Sequence, residues 1–313
     1  MKKILIHLLP LLLCAGLVSG CGRKAGSPGA TDGKPVVALV VKTLNNPFFI
    51  DMQKGAEAAA REAGVELIVQ AAEREIDVER QMQIVENLIQ RKVAALIVAP
   101  SGSREIVPVI VKANKAGIPV LIVDTRADAD ALDSAGGVTA TFIGSDNYEG
   151  GKVAGKFLLE KMAGNARIAI LEGIPGHETG DARLRGFRDA LKDSPGMQIV
   201  ASQPANWERD QGYNVFQNIL QANPGVNAMF AASDLMALGA VEAIAAAGKT
   251  GSITIVGFDA LPEAREAVQR GTMAGTVAQD PARMGATGVE WAARLLKGEA
   301  PPAEISVPIQ LVR

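Results

Sequence analysis

The sequence is poor in cysteine, histidine and aromatic residues. Among 313 residues there are two cysteines, two histidines and only 4% aromatic side chains. Both cysteines, Cys14 and Cys21, lie near the N-terminus, so the chain beyond them can form no internal disulfide and no thiol site. Beyond residue 7, His177 is the single histidine, which argues against a histidine-based metal site. We therefore predict no bound metal.

Enzyme motifs are also missing. No serine lies in a G-x-S-x-G turn. The segment "AAAGKT" (245–250) ends like a phosphate-binding loop but lacks the first glycine of that motif. The formal net charge of −2 gives no basic surface for nucleic acid. The sequence therefore predicts a protein that is not an enzyme, uses no cofactor and binds no nucleic acid.

The N-terminal segment has the pattern of an export signal. Lys2 and Lys3 precede an apolar run at 4–18 that is too short and too interrupted for a membrane span. It ends in "LVSGC", which resembles a bacterial lipobox, where cleavage precedes a cysteine that receives lipid. We predict a lipoprotein signal peptide at 1–20 and lipidation of Cys21, with an ordinary secretory signal as the alternative. The expected location is periplasmic or cell-surface, anchored to the membrane by this lipid.

The next segment, 21–34, is rich in Gly, Ser, Pro and charge and has no apolar period, as is typical of a flexible tether. From residue 35 onward, apolar strand patterns alternate with amphipathic helix patterns. This alternation indicates parallel sheets covered by helices on both faces, and the length indicates two domains. The predicted strands are 36–41, 65–69, 94–99, 119–124, 140–146, 166–173, 197–202, 226–233, 252–259, 273–279 and 305–312. The predicted helices are 49–64, 78–92, 104–117, 147–162, 180–192, 209–222, 234–247, 262–270 and 281–297.

Polar side chains and three aromatic residues follow the predicted strands. In open parallel sheets, ligands bind beyond the carboxyl ends of the strands. Carboxylates, amides and lysine hydrogen-bond hydroxyl groups, and aromatic rings stack on the C–H face of a sugar. This inventory is typical of a site for a neutral polyhydroxylated ligand. The residues are Lys42, Asn46, Phe48, Phe49, Asp124, His177, Asp181, Arg183, Trp207, Ser233, Asp259 and Gln279.

Five segments in the same order resemble the ribose- and allose-binding proteins of the type I periplasmic binding protein family. They are "VVKTLNNPFF", "ASQPANWER", "ASDLMALGA", "IVGFD" and "GTVAQDP". The resemblance covers the chain from about residue 35 and implies two doubly wound parallel-sheet α/β domains with a sugar between them. It implies three hinge crossings, near 143–146, 277–281 and 307–309. The implied domains are 35–144 plus 280–308, and 145–279 plus 309–313.

The resemblance carries residues over one by one. Seven stand where both the ribose and allose binders contact ligand: Asn46, Phe48, Phe49, Asp124, Trp207, Asp259 and Gln279. Lys42 and Asp181 match the allose binder and differ from the ribose binder. Ala99 and Thr125 also replace residues of the ribose binder. Ser233 replaces an asparagine that both have, so the match to allose is incomplete.

The implied function is capture of a monosaccharide, an allose-like aldohexose or related pyranose, and delivery to the permease of an ABC transporter. Phe48, Phe49 and Trp207 would sandwich the ring, and hinge closure would bring the polar side chains onto its hydroxyls. We expect a monomer. Ribose, a cyclic polyol such as inositol, or a sensor role remain alternatives. A sugar-responsive repressor is disfavoured because a signal peptide stands where its DNA-binding domain would be. An exported sugar enzyme is the other alternative, and binding of a sugar without its conversion would count against it.

Three residues keep two interpretations at this point. His177 lies in a glycine-rich loop, and a solvated side chain is favoured over a ligand contact. Arg183 is either a ligand contact or an ion-pair partner on a helix surface. Trp207 alone would be read as a packing residue, and the motif around it favours ligand stacking instead.

Overall fold

The computed structural model describes residues 33–313. The predicted signal peptide, the Cys21 lipidation site and the tether up to residue 32 lie outside the described residues. From residue 33 onward, the helices are all too short or too polar to cross a membrane.

Two six-stranded sheets form the framework, and the predicted doubly wound α/β class is confirmed. The first sheet has the order β11-β5-β4-β3-β1-β2 and is entirely parallel. Its strands are β1 (Val36–Thr43), β2 (Glu66–Ala72), β3 (Ala95–Val98), β4 (Val120–Val123), β5 (Thr141–Gly144) and β11 (Glu304–Ser306). The central strands β3, β4 and β5 are buried along their whole length, as continuous apolar runs predict.

The second sheet has the order β12-β10-β9-β8-β6-β7. All neighbouring strands are parallel except β12, which runs antiparallel to β10. The strands are β6 (Ala166–Glu172), β7 (Met197–Pro204), β8 (Ala228–Ala231), β9 (Thr254–Asp259), β10 (Gly275–Ala278) and β12 (Gln310–Val312). The chain thus passes between the sheets after β5, after β10 and after β11.

The predicted last strand, 305–312, is in fact two short strands in different sheets. Val307 donates its backbone N–H to Gly144 at 2.9 Å, which ends the pairing of β11 with β5. Pro308 follows and has no N–H to continue a ladder. An uninterrupted strand across this proline was therefore wrong, although the pattern on either side of it is that of a strand.

Ten helices cover the sheets in the described part of the chain. They are α1 (Pro47–Ala63), α2 (Val78–Gln90), α3 (Val107–Lys115), α4 (Ala129–Ser134), α5 (Asn147–Lys161), α6 (Glu178–Leu191), α7 (Arg209–Ala222), α8 (Asp234–Ala246), α9 (Pro262–Gln269) and α10 (Pro281–Leu295). Helix α4 was not predicted. It has six residues, none of them buried, so it carries no apolar period to reveal it. Its N-cap is Asp128, whose side chain accepts from the N–H of Ala131.

Helix α10 follows the second sheet in sequence but packs on the first. It contacts α1 and the strands β1, β3, β4 and β5. The two helices approach so closely that a Cβ on Gly285 would lie 2.1 Å from the carbonyl oxygen of Met52, and one on Gly55 would lie 1.9 Å from that of Ala282. Only glycine fits at these two positions.

The carboxyl ends of the strands of both sheets face the same cleft. Most of the residues predicted to bind ligand lie at or just beyond these strand ends.

Candidate ligand-binding site

A cavity lies between the two domains, beyond the carboxyl ends of the strands. Clefts in this position are where open parallel sheets bind small ligands. Apart from His177, for which a solvated side chain was favoured, eleven residues were predicted to contact the ligand. Ten of these eleven line the cavity, and two further residues join them. The lining residues are Lys42, Asn46, Phe48, Phe49, Glu75, Asp124, Thr179, Arg183, Trp207, Ser233, Asp259 and Gln279.

The first-domain wall is built around the ammonium group of Lys42. Its Nζ lies 3.1 Å from Oδ2 of Asp124 and 3.9 Å from Oε2 of Glu75. All three side chains are less than a tenth exposed. Buried charges are stable in a protein interior only when they are paired and hydrogen-bonded. The three groups therefore form one ionic cluster, fixed in place before any ligand enters.

Asn46 connects this cluster to the start of α1. As the N-cap residue, it accepts the backbone N–H of Phe48 on Oδ1 at 3.0 Å. Its Nδ2 donates to Oε1 of Glu75 at 3.0 Å. Because both ends of the amide are held, the loop between β1 and α1 has a defined shape. A further hydrogen bond, from the hydroxyl of Thr125 to Oδ2 of Asp124 at 2.9 Å, orients the second carboxylate.

The sequence analysis missed Glu75, although a signal for it was present. It lies three residues beyond the end of β2, the strand next to β1 in the sheet. The carboxyl end of β2 lies at the same edge of the sheet as that of β1, so a polar residue after β2 is also a candidate for the site. Burial raises the pKa of the Glu75 carboxyl to about 7, with Lys42 and the Asn46 amide acting in the opposite direction.

Aromatic rings from both domains face the cavity. Phe48 and Phe49 meet edge to face, with ring centroids 5.2 Å apart and an interplanar angle of 82°. Trp207 comes from the second domain, where it stands at φ 65° in the loop between β7 and α7. Its indole packs against Gly173, at which a Cβ would lie 2.0 Å from the ring. Both domains therefore contribute an aromatic lining to the cavity.

Arg183 and Asp259 form the charged wall of the second domain. The guanidinium NH1 lies 3.5 Å from Oδ1 of Asp259, and both side chains are buried. Arg183 also donates from Nε to Oδ1 of Asn147 at 2.8 Å and from NH1 to the carbonyl oxygen of Ala232 at 2.7 Å. Its guanidinium carbon lies 3.8 Å from the centroid of the Phe258 ring. The interpretation of Arg183 as a helix-surface residue is therefore wrong.

Gln279 completes this wall from the end of β10. Its Nε2 donates to Oδ1 of Asp259 at 2.9 Å. Burial raises the pKa of the Asp259 carboxyl to about 6, opposed by Arg183 and by this hydrogen bond. Since Gln279 lies where the chain leaves the second sheet, it couples a cavity carboxylate to the connection between the domains.

Asp181 is the one predicted site residue that the structure places outside the cavity lining. Residues four apart on a helix share a face, and Thr179 and Arg183 are such a pair at the start of α6. Asp181 lies midway between them and faces another direction. Partial burial raises the pKa of its carboxyl, and Arg185 and the backbone of Gly176 lower it. Thr179, which was not predicted from the sequence, lines the cavity.

His177 is buried, so the expectation of a solvated loop side chain was wrong. Its ring does not line the cavity. Burial and the nearby Lys42 ammonium lower the pKa of the imidazole to about 4. Beside it, the backbone N–H of Glu178 donates to Oγ of Ser103 at 3.3 Å, which joins the second domain to the first.

Three buried polar atoms on the cavity lining have no hydrogen-bond partner within residues 33–313. They are Nε1 of Trp207, Oγ1 of Thr179 and Oγ of Ser233. Buried polar groups in proteins are almost always hydrogen-bonded. These atoms are therefore positioned to bond a ligand that carries several hydroxyl groups.

Residues 37–300 match the family model described as a periplasmic binding protein domain. The chain is 41% identical to a D-allose-binding periplasmic protein of Escherichia coli (strain K12) over 81% of this chain and 82% of that protein. It is 38% identical to the ribose import binding protein RbsB of the same strain, over 95% of this chain and 97% of the relative. Among solved structures it is similar to an ABC transporter periplasmic solute-binding protein from Actinobacillus succinogenes 130z with bound D-allose. That similarity has a TM-score of 0.84 and 42% identity over 89% of this chain and 97% of the other.

Proposed function

The chain belongs to the periplasmic binding protein family, whose members bind solutes for ABC importers and are not enzymes, and on this premise we propose its ligand and mode of binding. The ligand is a monosaccharide, an allose-like aldohexose or related pyranose, which the protein captures between its domains and delivers to an ABC transporter permease. The observation that carries the proposal is the cavity itself. Aromatic rings from both domains line it, and each domain contributes a charged cluster.

This arrangement matches the two surfaces of a pyranose. The rings of Phe48, Phe49 and Trp207 cover the C–H faces and remove them from water. Around the edge, Lys42, Asn46 and Asp124 from the first domain and Arg183, Asp259 and Gln279 from the second face the hydroxyl groups. Hydrogen bonds to charged groups contribute about 1.5–3 kcal/mol each, against about 1 kcal/mol for neutral ones. A handful of such bonds supports sub-micromolar affinity after the cost of ordering is subtracted.

An aldohexose is favoured over ribose by the first-domain wall. Lys42 and Glu75 together fill the region beside Asp124 with hydrogen-bonding groups. A ligand with more hydroxyl groups than a pentose furanose can hydrogen-bond more of these protein groups. The relative of known structure that is 42% identical to this chain contains D-allose, which supports the same ligand class here. Ribose and a cyclic polyol such as inositol are the alternatives within the same cavity.

A thermal-shift screen over aldohexoses, pentoses and cyclic polyols, followed by calorimetric titration, tests the ligand class. A ligand at a hundred times its dissociation constant stabilises the native state by about 2.7 kcal/mol. Asp124→Ala and Asp259→Ala should each remove most of the affinity, while Asp193→Ala, at an exposed position, serves as the matched control. If both cavity variants bind within a few-fold of the parent, or no saccharide or polyol shifts the melting curve, the proposal is wrong.

Binding is proposed to close a hinge made of the three chain crossings between the sheets. The domains would then comprise 35–144 plus 280–308, and 145–279 plus 309–313. Arg74 forms an ion pair with Glu208 across the cleft, with Nε and Oε1 3.1 Å apart. Opening of the cleft would break this contact. Small-angle X-ray scattering should show a monomer whose radius of gyration falls when the ligand is added. An unchanged radius at saturating ligand would contradict a hinge closure.

Anchoring by a lipid on Cys21 is a further part of the proposal and rests on the "LVSGC" motif alone. Mass spectrometry of protein extracted from bacterial membranes should show the chain beginning at Cys21 with lipid attached. Cys21→Ser should move the protein to the soluble fraction. If the parent is found there too, the anchor is refuted while the sugar-binding proposal stands.

A further inference from the structure

The turn that presents Asp259 to the cavity has an unusual backbone. Asp259 has φ 106° and the next residue, Ala260, has φ 53°. Both lie in the left-handed region, a backbone conformation that residues other than glycine adopt only at a cost in free energy. Two such residues in succession persist only when neighbouring groups hold them. The turn joins β9 to α9, and its shape determines where the Asp259 carboxylate points.

Two buried residues outside the cavity accept the backbone N–H groups of this turn, and Arg265 donates from Nε to the carbonyl oxygen of Ala260 at 2.8 Å. Oδ2 of Asp234 accepts the backbone N–H of Leu261 at 2.8 Å. Oγ1 of Thr276 accepts the backbone N–H of Ala260 at 3.2 Å. The Thr276 hydroxyl in turn donates to Oδ1 of Asp234 at 2.8 Å. The backbone N–H groups of Ala260 and Leu261 therefore both donate hydrogen bonds, one to Thr276 and one to Asp234. These two side chains also hydrogen-bond to each other.

The surrounding core is shaped to admit this pair. Asp234 and Thr276 are both fully buried, and neither lines the cavity. On the adjacent strand, a Cβ at Gly257 would lie 2.2 Å from Oδ1 of Asp234, so a side chain there would displace the carboxylate. A buried carboxyl group is costly unless it is well hydrogen-bonded, and burial together with the nearby Asp259 raises the pKa of this one well above its usual value. Its placement here is not explained by packing, which an apolar residue would serve better.

The pair also connects three elements that carry proposed ligand contacts. Asp234 is the first residue of α8 and follows Ser233 directly. Thr276 lies on β10, three residues before Gln279, which donates to the Asp259 carboxylate. The hydrogen bonds of Asp234 and Thr276 thus fix the relative positions of the α8 start, the β9–α9 turn and the end of β10.

We propose that Asp234 and Thr276 are positioning residues, which set the affinity for the sugar by holding the Asp259 carboxylate in its binding orientation. This inference rests on the proposed function, because it takes Asp259 as a ligand contact. Neither residue touches the ligand. Their effect on binding passes through Asp259, and a residue that serves stability alone would show no such dependence.

The test compares dissociation constants by calorimetric titration with the tightest-binding monosaccharide of the screen. Thr276→Val removes the hydroxyl and keeps the shape of the side chain, and Asp234→Asn replaces one acceptor by a donor. Each should weaken binding by about tenfold or more, as expected when a buried hydrogen-bond network is broken. Thr276→Ser restores the hydroxyl and should bind within about threefold of the parent. Thr141→Val, a buried threonine of the first sheet, should leave affinity unchanged.

A double-mutant cycle separates positioning from general stability. In an Asp259→Asn background, measured at millimolar sugar, Thr276→Val should cost less than about twofold in further affinity because the group it positions is already altered. Equal losses in both backgrounds, or a lowered melting temperature with unchanged affinity, would overturn the proposal. If Asp234→Asn does not fold, the Thr276 variants carry the test. A parent that binds no saccharide refutes the proposed function, whereas variants that bind as well as the parent refute only the positioning role.

Discussion

Glu75→Gln is expected to change how the stability of the protein depends on pH. The Glu75 carboxyl is buried beside Lys42 and Asn46, and burial raises its pKa from 4.5 to about 7 in the folded state. Glutamine keeps the size of the side chain and an oxygen that accepts from Asn46, but it does not titrate. Comparing the variant with the parent therefore isolates the contribution of one carboxyl.

The sign follows from proton linkage. Between pH 4.5 and 7 the folded state holds a proton on Glu75 that the unfolded state has lost, so the contribution of this group to stability falls as pH rises. It is fully present below pH 4.5 and is lost as pH rises through about 7. With these two pKa values, the contribution at pH 5 exceeds that at pH 8 by about 2.5 kcal/mol.

The assay is urea unfolding of the ligand-free protein, followed by circular dichroism at pH 5 and pH 8. The parent should lose about 2.5 kcal/mol more than Glu75→Gln between these two pH values. Titrating groups remote from Glu75 act alike in both proteins and cancel in the comparison, whereas Lys42, Asp124 and Asp259 interact with Glu75 and contribute to the difference. A difference below about 0.5 kcal/mol would show that the carboxyl is not held in a low-dielectric site, and the reasoning would be refuted.

Three further predictions test separate parts of the structure. Trp207→Ala should weaken monosaccharide binding by roughly 30-fold or more, because one stacking face is lost, and should also lower the melting temperature, because the indole is buried against Gly173. Calorimetric titration below the melting transition measures the first effect and a melting curve the second, and unchanged affinity would exclude ring stacking. Gly285→Val should lower the free energy of unfolding by several kcal/mol, about 3 or more, since its Cβ would lie 2.1 Å from the Met52 carbonyl oxygen; a variant as stable as the parent in urea would show that α10 does not pack on α1 this closely. Asp181→Asn should bind sugar within about threefold of the parent, because this side chain does not line the cavity, and a tenfold loss by titration would place it in the site after all.

The two charged clusters lie on different domains. Lys42, Glu75 and Asp124 lie entirely on the first domain, so their ionic contacts exist whether or not the domains are together. Arg183, Asp259 and Gln279 form the corresponding set on the second domain. Each set is fixed by its own domain before the ligand binds. Preorganisation of this kind reduces the ordering cost that a ligand must overcome.

Much of the fold could be predicted because it follows from local patterns. Apolar runs such as "AALIVA" and "PVLIVD" are buried on both faces in a parallel sheet, and the intervening amphipathic helices have the period that covers such a sheet. The failures occurred where this signal is weak or divided. The six exposed residues of α4 have no apolar face, and Pro308 separates two strands that read as one.

The candidate site was predicted in large part because parallel strands bring their carboxyl ends together. Lys42, Asp124 and Asp259 are far apart in sequence, yet each lies at the carboxyl end of a strand and all reach one cavity. The spacing of residues along the chain does not determine whether a side chain near such a strand end points into the cavity. Thr179 and Asp181 are two residues apart on α6, and only the helix rotation places the first in the cavity and the second outside it.

The sequence by itself determined the class of fold, the alternation of the elements and most of the residues at the strand ends. Those properties depend on the period of the apolar residues and on the direction of the chain, which are local. Only the tertiary structure decided the ionic partner of Lys42, the burial of His177 and the hydrogen bonds from Asp234 and Thr276 to the Asp259 turn. These depend on distances between segments that are remote in sequence. Electrostatic and hydrogen-bond energies change steeply with such distances and with burial, and a linear pattern contains neither.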